Sequence, residues 1–151
     1  MKKLYLNVAV LDSGARGSLT TFARNGQGDV LLTWENEAHL SLAEFPDQKF
    51  QIIYPSVSIL AEPSVSWVDG VTEKHGTTEL AKAYLTYLYS DEGQNLAAKH
   101  KYRPRNPAAL ARSQFPAIKL FSIQELYGSW AQAQKAYFVD GAEFDQIYAK
   151  Q

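Results

Sequence analysis

A turn of small residues between an apolar run and an amphipathic segment constrains the fold of this chain more than any other feature. The run Leu4–Leu11 is rich in Leu and Val, which is typical of a strand buried in a parallel sheet. The turn Ser13–Ser18 follows, and the spacing of apolar residues predicts a helix over Ala15–Asn25 that Gly26 ends. A second strand is predicted over Asp29–Trp34. Strand, helix and strand in this order indicate an α/β fold with a parallel sheet.

The same turn is a candidate anion site. The first N–H groups of a helix lack partners within it, and the helix dipole leaves roughly half a positive charge there, so an oxyanion fits the backbone of Gly14, Ala15, Arg16 and Gly17. Trp34 ends the next strand, and its indole N–H donates but cannot accept. A site that contains only hydrogen-bond donors suits a fully ionised oxyanion such as sulfate. Two simpler interpretations stay open: an ordinary strand-to-helix connection, and a tryptophan that only packs.

The remaining chain is predicted to alternate helices with short extended segments. Pro63 lies inside the extended run 56–68, and since proline lacks the ladder donor, this run belongs at a sheet edge or between lobes. The patterns predict helices over 35–45, 78–100 with a break near 90–93, 107–113, 122–127, 130–138 and 142–150, a strand over 50–54 and an extended link over 116–121.

Composition and motifs argue against several functions. The formal net charge is −1, so the chain lacks the basic field that attracts nucleic acid, and it has no cysteine. His39 has no partner at ligand spacing, and Glu35 and Glu37 are interpreted as first-turn helix residues, so no metal is expected. No nucleophile elbow or dinucleotide fingerprint is present. We expect no cofactor and no enzymatic activity.

Several segments, in this order, resemble one family. They are the stretches 7–18 (NVAVLDSGARGS), 28–38 (GDVLLTWENEA), 58–63 (SILAEP), 83–90 (AYLTYLYS), 102–105 (YRPR) and 144–147 (FDQI). Together they are similar to the second half of bacterial periplasmic sulfate-binding proteins, the soluble receptors of sulfate/thiosulfate ABC importers. The resemblance covers essentially the whole chain.

The resemblance implies a type II periplasmic-binding-protein fold. The chain would form a three-layer, parallel-sheet α/β lobe, with C-terminal helices that pack on a first lobe lying outside this sequence. It implies that the Ala15 amide and the Trp34 indole contact sulfate, with Gly14, Arg16 and Gly17 beside them. It divides the chain into a second-lobe segment over 1–57, a hinge strand over 58–68, a first-lobe segment over 69–127 and returning helices over 128–151. It further implies a periplasmic location, although no signal peptide is recognised at the start of this sequence, and a membrane permease as partner.

Two functions are therefore compared. In the first, the chain is half of a sulfate receptor and binds the anion weakly or not at all alone, because the first-lobe donors are missing. In the second, the chain is a structural, self-associating unit. The long extended run and the apolar helix around Tyr84 predict a homodimer, with C-terminal helices exchanged between copies.

Overall fold

Within residues 2–148, the sheet of this protein consists of two short parallel strands. The computed structural model describes residues 2–148, with side chains up to Ile147. Strand β1 (Val57–Ile59) pairs in parallel with β2 (Lys119–Phe121), Val57 lying opposite Lys119 and Ile59 opposite Phe121. The Leu60 amide extends the pairing by donating to the Phe121 carbonyl at 2.8 Å. The α/β class predicted from the sequence is confirmed, in the form of a helix-rich fold with a small parallel sheet.

Helices form most of the regular structure. They are α1 (Lys2–Leu6), α2 (Ala15–Asn25), α3 (Glu35–Glu44), α4 (Asp69–His75), α5 (Thr78–Tyr87), α6 (Asp91–Lys99), α7 (Pro107–Arg112), α8 (Ile123–Tyr127), α9 (Trp130–Tyr137) and α10 (Glu143–Tyr148), with a 3₁₀ turn over Pro46–Gln48. Among the described residues, no helix combines the length and the apolar character needed to cross a bilayer.

The chain divides into two compact units. The first contains the described residues up to Thr33, the segment Gln51–Ala61 and the residues from Ile118 onward, and therefore holds the sheet. The second contains Trp34–Phe50 and Glu62–Ala117. The four-part division expected from the sequence, with boundaries after 57, 68 and 127, stays a prediction.

The helices predicted from local signals are confirmed. Helix α2 spans the predicted residues, and Gly26 ends it in the left-handed conformation with φ 63°. Leu19, on its apolar face, is 1% exposed. The predicted break near residue 90 separates α5 from α6, and the Ser90 hydroxyl accepts from the Gly93 amide to cap α6. Of the last predicted helix, Ala149 and Lys150 lie outside the described residues.

Three predicted strands and one connection are corrected. Residues 2–6 form α1 instead of the start of a strand, because a short apolar run is compatible with either state. The segments 29–34 and 50–54 pair with no other strand in the described chain, and Val30 and Leu32 are 78% and 70% exposed. A strand needs a neighbour's backbone groups, which a single segment's pattern does not specify. The connection between the extended run 56–68 and the helix predicted from residue 78 contains helix α4, which begins at Asp69.

Aromatic rings join the terminal helices within the first unit. Tyr5 of α1 meets Phe144 of α10 edge to face with centroids 5.7 Å apart, and Phe138 lies 5.7 Å from Phe144. Tyr127 and Tyr137 form a second edge-to-face pair at 5.4 Å. A hydrogen bond with Tyr127 raises the pKa of Tyr137 above its usual value. These contacts connect α1 to the helices that follow β2.

A buried glutamine organises the second unit. Gln94 of α6 is 8% exposed, and its Nε2 donates to the Leu88 carbonyl at 2.7 Å. Its Oε1 accepts from the backbone amides of Arg105 and Asn106 at 2.6 and 3.1 Å. One side chain thus satisfies backbone groups at the end of α5 and at the start of α7, which fixes the segment between α6 and α7.

Candidate functional site

The start of α2 presents backbone donors that the rest of the described chain does not use. Gly14 precedes the helix in an extended conformation, with φ −168° and ψ 159°, and no side chain caps the helix. Within residues 2–148, the amides of Ala15 and Gly17 donate to no acceptor. Gly14 and Gly17 are exposed, and Ala15 is half-buried. An anion that approached here would meet unpaired N–H groups and the positive end of the helix dipole.

The surroundings of this turn are open on one side and acidic on the other. A Cβ placed on Gly14 would meet nothing within 4 Å. A Cβ placed on Gly17 would lie 3.4 Å from the Asp12 Cβ and 3.7 Å from its Oδ1, so the Asp12 carboxylate stands beside the first turn. Arg16, the second residue of α2, is exposed. The turn thus combines exposed donors with the negative charge of Asp12 and the positive charge of Arg16.

Trp34 occupies the corresponding position before α3. It is the N-cap residue of that helix, with φ −68° and ψ 148°, and it is 59% exposed. In the part of the chain that the structure describes, its Nε1–H has no hydrogen-bond acceptor. The indole is therefore an exposed donor at the start of a ten-residue helix.

The residue after Trp34 is held by a forked ion pair. Arg103 donates from Nε to Glu35 Oε2 at 3.0 Å and from Nη2 to Glu35 Oε1 at 2.8 Å. Its Nη1 donates to the Pro116 carbonyl at 3.0 Å, and its guanidinium carbon lies 4.9 Å from the Phe115 ring centroid. Both side chains of the pair are only about one-fifth exposed, at 23% and 22%. A bidentate geometry of this kind restricts the orientation of both partners.

The five residues predicted for the site belong to two separate turns. Gly14, Ala15, Arg16 and Gly17 lie together at the start of α2 in the first unit, and Trp34 begins the second unit at α3. A shared ligand for the Ala15 amide and the Trp34 indole stays a prediction. No group of three or more His, Asp or Glu side chains in the described chain is placed to hold a metal ion.

The sequence was then compared with known proteins. A profile of a family described as "Bacterial extracellular solute-binding protein" matches residues 1–103, about two-thirds of the chain. The chain belongs to the bacterial extracellular solute-binding proteins. The predicted resemblance is thereby confirmed, and the helix-rich fold with its small parallel sheet is consistent with an α/β lobe of a periplasmic binding protein. Members of this family bind solutes, as its description states.

Curated relatives give a more specific likeness. The chain is 56% identical over 149 residues to the sulfate-binding protein of Escherichia coli, a match covering 97% of this chain and 45% of that protein. It is 50% identical to the thiosulfate-binding protein of Pseudomonas aeruginosa, with the same coverage. It is 35% identical to the sulfate-binding protein of Synechocystis, covering 98% of this chain and 42% of that protein. The chain thus spans a little less than half the length of these relatives.

Sequence reasoning missed two residues of this solute-binding chain that bear on the site. The predicted site does not include Asp12, although a carboxylate just before a helix is a recognisable charge signal. It does not include Arg103 either. Its partner Glu35 lies 68 residues away in the sequence, so no local pattern indicates the pair.

Proposed function

We propose that this chain is half of a sulfate-binding receptor and contributes some of its anion-binding donors. The observation that supports the proposal most is the pair of unpartnered amides, Ala15 and Gly17, at the exposed start of α2 in a chain 56% identical to a sulfate-binding protein. The Ala15 amide and the Trp34 indole are the donors that we assign to the ligand, with Gly14, Arg16 and Gly17 beside them. Because one relative is named for sulfate and another for thiosulfate, we propose either anion as the ligand.

The donors explain the choice of ligand class. Backbone N–H and indole N–H groups donate and cannot accept. A sulfate dianion carries acceptors on all four oxygens, whereas monohydrogen phosphate must also place one O–H donor. The proposed donors therefore match the acceptor oxygens of sulfate, and none of them can accept a hydrogen bond from the hydroxyl of phosphate.

The affinity of the chain alone should be low. A hydrogen bond to a charged group contributes about 1.5–3 kcal/mol, so two donors contribute about 3–6 kcal/mol before the cost of immobilising the ion. A dissociation constant of 1 mM corresponds to about 4.1 kcal/mol. We therefore expect sulfate binding in the millimolar range or weaker, with the nearby Asp12 carboxylate weakening it further. In a complete receptor, further donors would raise the affinity, and delivery to a membrane ABC permease from the periplasm would follow.

The first test follows amide and indole signals during a sulfate titration. Proton–nitrogen correlation spectra of the full chain are recorded in sodium sulfate and in sodium chloride of equal ionic strength. We expect sulfate to shift the Ala15 and Gly17 amides and the Trp34 indole N–H, with saturation in the millimolar range. Shifts that are equal in both salts would reject the proposal.

Two substitutions remove single donors with little change to the fold. Ala15→Pro deletes one amide at the first position of α2, where proline is tolerated, and the extended Gly14 is compatible with a following proline. Trp34→Phe deletes the indole donor. Each should weaken sulfate binding about tenfold or more, since one donor contributes about 1.5–3 kcal/mol. The control is Trp130→Phe, which removes an indole of similar exposure, 63%, at the start of α9. Sulfate binding should not change in that control.

A further inference from the structure

We infer that Arg103 is a positioning residue for the Trp34 indole, a role that rests on the proposed function of Trp34 as an anion donor. Within the described residues, Arg103 makes no hydrogen bond to the Trp34 indole. It acts on the residue next in sequence, Glu35, through two hydrogen bonds of 3.0 and 2.8 Å. Glu35 is the first residue of α3, and Trp34 is the N-cap of the same helix. The forked ion pair between Arg103 and Glu35, called the fork below, therefore restrains the backbone turn that carries the indole.

The guanidinium is itself held on several sides. Its Nη1 donates to the Pro116 carbonyl at 3.0 Å, and its guanidinium carbon lies 4.9 Å from the centroid of the Phe115 ring. That ring also contacts His39, one helical turn after Glu35, with centroids 6.1 Å apart. Arg103 and Phe115 thus engage the first two turns of α3 at two points, which resists rotation of the helix about its axis.

The backbone that supplies Arg103 is fixed as well. The Tyr102 amide donates to the Ala97 carbonyl at 2.9 Å, and the Arg105 amide donates to the buried Gln94 Oε1 at 2.6 Å. These two hydrogen bonds hold the backbone on both sides of residue 103 against α6. The position of α6 therefore fixes the guanidinium that binds Glu35 at the start of α3. The indole itself is 59% exposed, and its Nε1–H makes no hydrogen bond within the described residues.

The fork also has an electrostatic effect that must be separated from positioning. Glu35 places a carboxylate beside the residue proposed to bind a dianion, and Arg103 neutralises that charge. Loss of Arg103 would therefore weaken anion binding either because the indole loses its position or because the Glu35 charge is no longer neutralised. Glu35→Gln separates these two effects. It breaks the fork, which should weaken binding, and it removes the negative charge, which should strengthen binding.

The experiment measures the order of the Trp34 indole first without anion and then with sodium sulfate. Nitrogen relaxation of the indole N–H is recorded for the native chain and for Arg103→Lys, Arg103→Gln and Glu35→Gln. Arg103→Lys keeps the charge but cannot form the fork. The matched control is Arg105→Lys, two residues away, which weakens the exposed ion pair with Glu62 at 2.7 Å in the same unit. Circular dichroism identifies any variant that does not fold.

We expect the order parameter of the Trp34 indole N–H to fall below its native value in all three test variants, with no change in Arg105→Lys. Sulfate binding should weaken about three- to tenfold in the same three variants. An unchanged order parameter in Arg103→Lys and Glu35→Gln overturns the inference. So does a Glu35→Gln chain that binds sulfate as well as the native chain or better, since charge neutralisation would then be the whole effect.

The two proposals fail in different ways. If the Trp34 indole N–H of the native chain does not respond to sulfate, the proposed function fails. The anion-free relaxation data still decide whether Arg103 orders the indole. If any single variant does not fold, the remaining two give the same comparison.

Discussion

Asp12 places a negative charge beside the residues that are proposed to attract an anion. The Oδ1 atom lies 3.7 Å from the position that a Cβ on Gly17 would take. A carboxylate at the start of a helix is favourable for the helix, because it complements the dipole. It is unfavourable for a dianion at the same place. The turn therefore balances the stability of α2 against the strength of anion binding.

We predict that Asp12→Asn strengthens sulfate binding while it lowers the stability of α2. A unit charge and a dianion about 6 Å apart repel by about 1.4 kcal/mol in water before salt screening, so a three- to tenfold gain in affinity is expected. The loss in helix stability should be about 0.3–1 kcal/mol. The titration described above measures the gain, and urea unfolding measures the loss.

The control for this change is Asp29→Asn. It alters the net charge of the chain equally and lies at an exposed position in the same unit. An equal gain from both substitutions would show that the net charge of the chain matters and that the place of Asp12 does not.

At the scale of single elements, the corner between α5 and α6 depends on a glycine. A Cβ on Gly93 would lie 2.3 Å from the Tyr87 carbonyl oxygen and 3.1 Å from that of Leu88. Gly93 also donates from its amide to the Ser90 hydroxyl at 3.1 Å, which closes the cap of α6. The two helices can approach at this angle only because residue 93 has no side chain.

We predict that Gly93→Ala destabilises the protein by about 1–3 kcal/mol, since backbone atoms must move to admit the methyl group. The control is Gly70→Ala in α4, where a Cβ would meet nothing within 4 Å. That change should be neutral or stabilise by up to about 1 kcal/mol, because alanine favours the helix. Urea unfolding of both variants tests the pair. If both variants changed the free energy of unfolding equally, the proposed clash between a residue 93 side chain and the Tyr87 carbonyl would be contradicted.

Local signals explain which elements were predictable from the sequence. Apolar spacing and the left-handed Gly26 define α2, and Ser90 marks the start of α6, so both helices follow from residues close together in the chain. The sheet does not, since β1 and β2 are joined by backbone groups about 60 residues apart. The site divides in the same way: the turn at Gly14–Gly17 is a local pattern, whereas the Arg103–Glu35 fork depends on the tertiary fold.

For the whole molecule, one face of α5 supports the prediction of self-association made from the sequence. Leu80, Tyr84 and Tyr87 recur at helical spacing and are 71%, 62% and 38% exposed. Side chains of this size favour contact with another apolar surface. The homodimer itself stays a prediction, as does an exchange of C-terminal helices.

We expect light scattering to show a mass that rises from one chain toward two as the protein concentration increases. The double change Leu80→Lys and Tyr84→Lys should shift this transition to higher concentration, because it adds like charges to the face. Leu126→Lys, at an exposed position of 56% in α8 of the first unit, is the control. A single-chain mass at every concentration up to the millimolar range would contradict the prediction.

The order in which the strands occur along the chain has a consequence during synthesis. Ile59 completes β1 about 60 residues before Lys119 begins β2, and the residues between them supply most of the second unit. At about 5–20 residues per second, a ribosome takes roughly 3–12 s to cover that interval. For those seconds the nascent β1 offers an unpaired backbone edge that a chaperone or another nascent chain can reach, while the helices of the second unit are already free to fold.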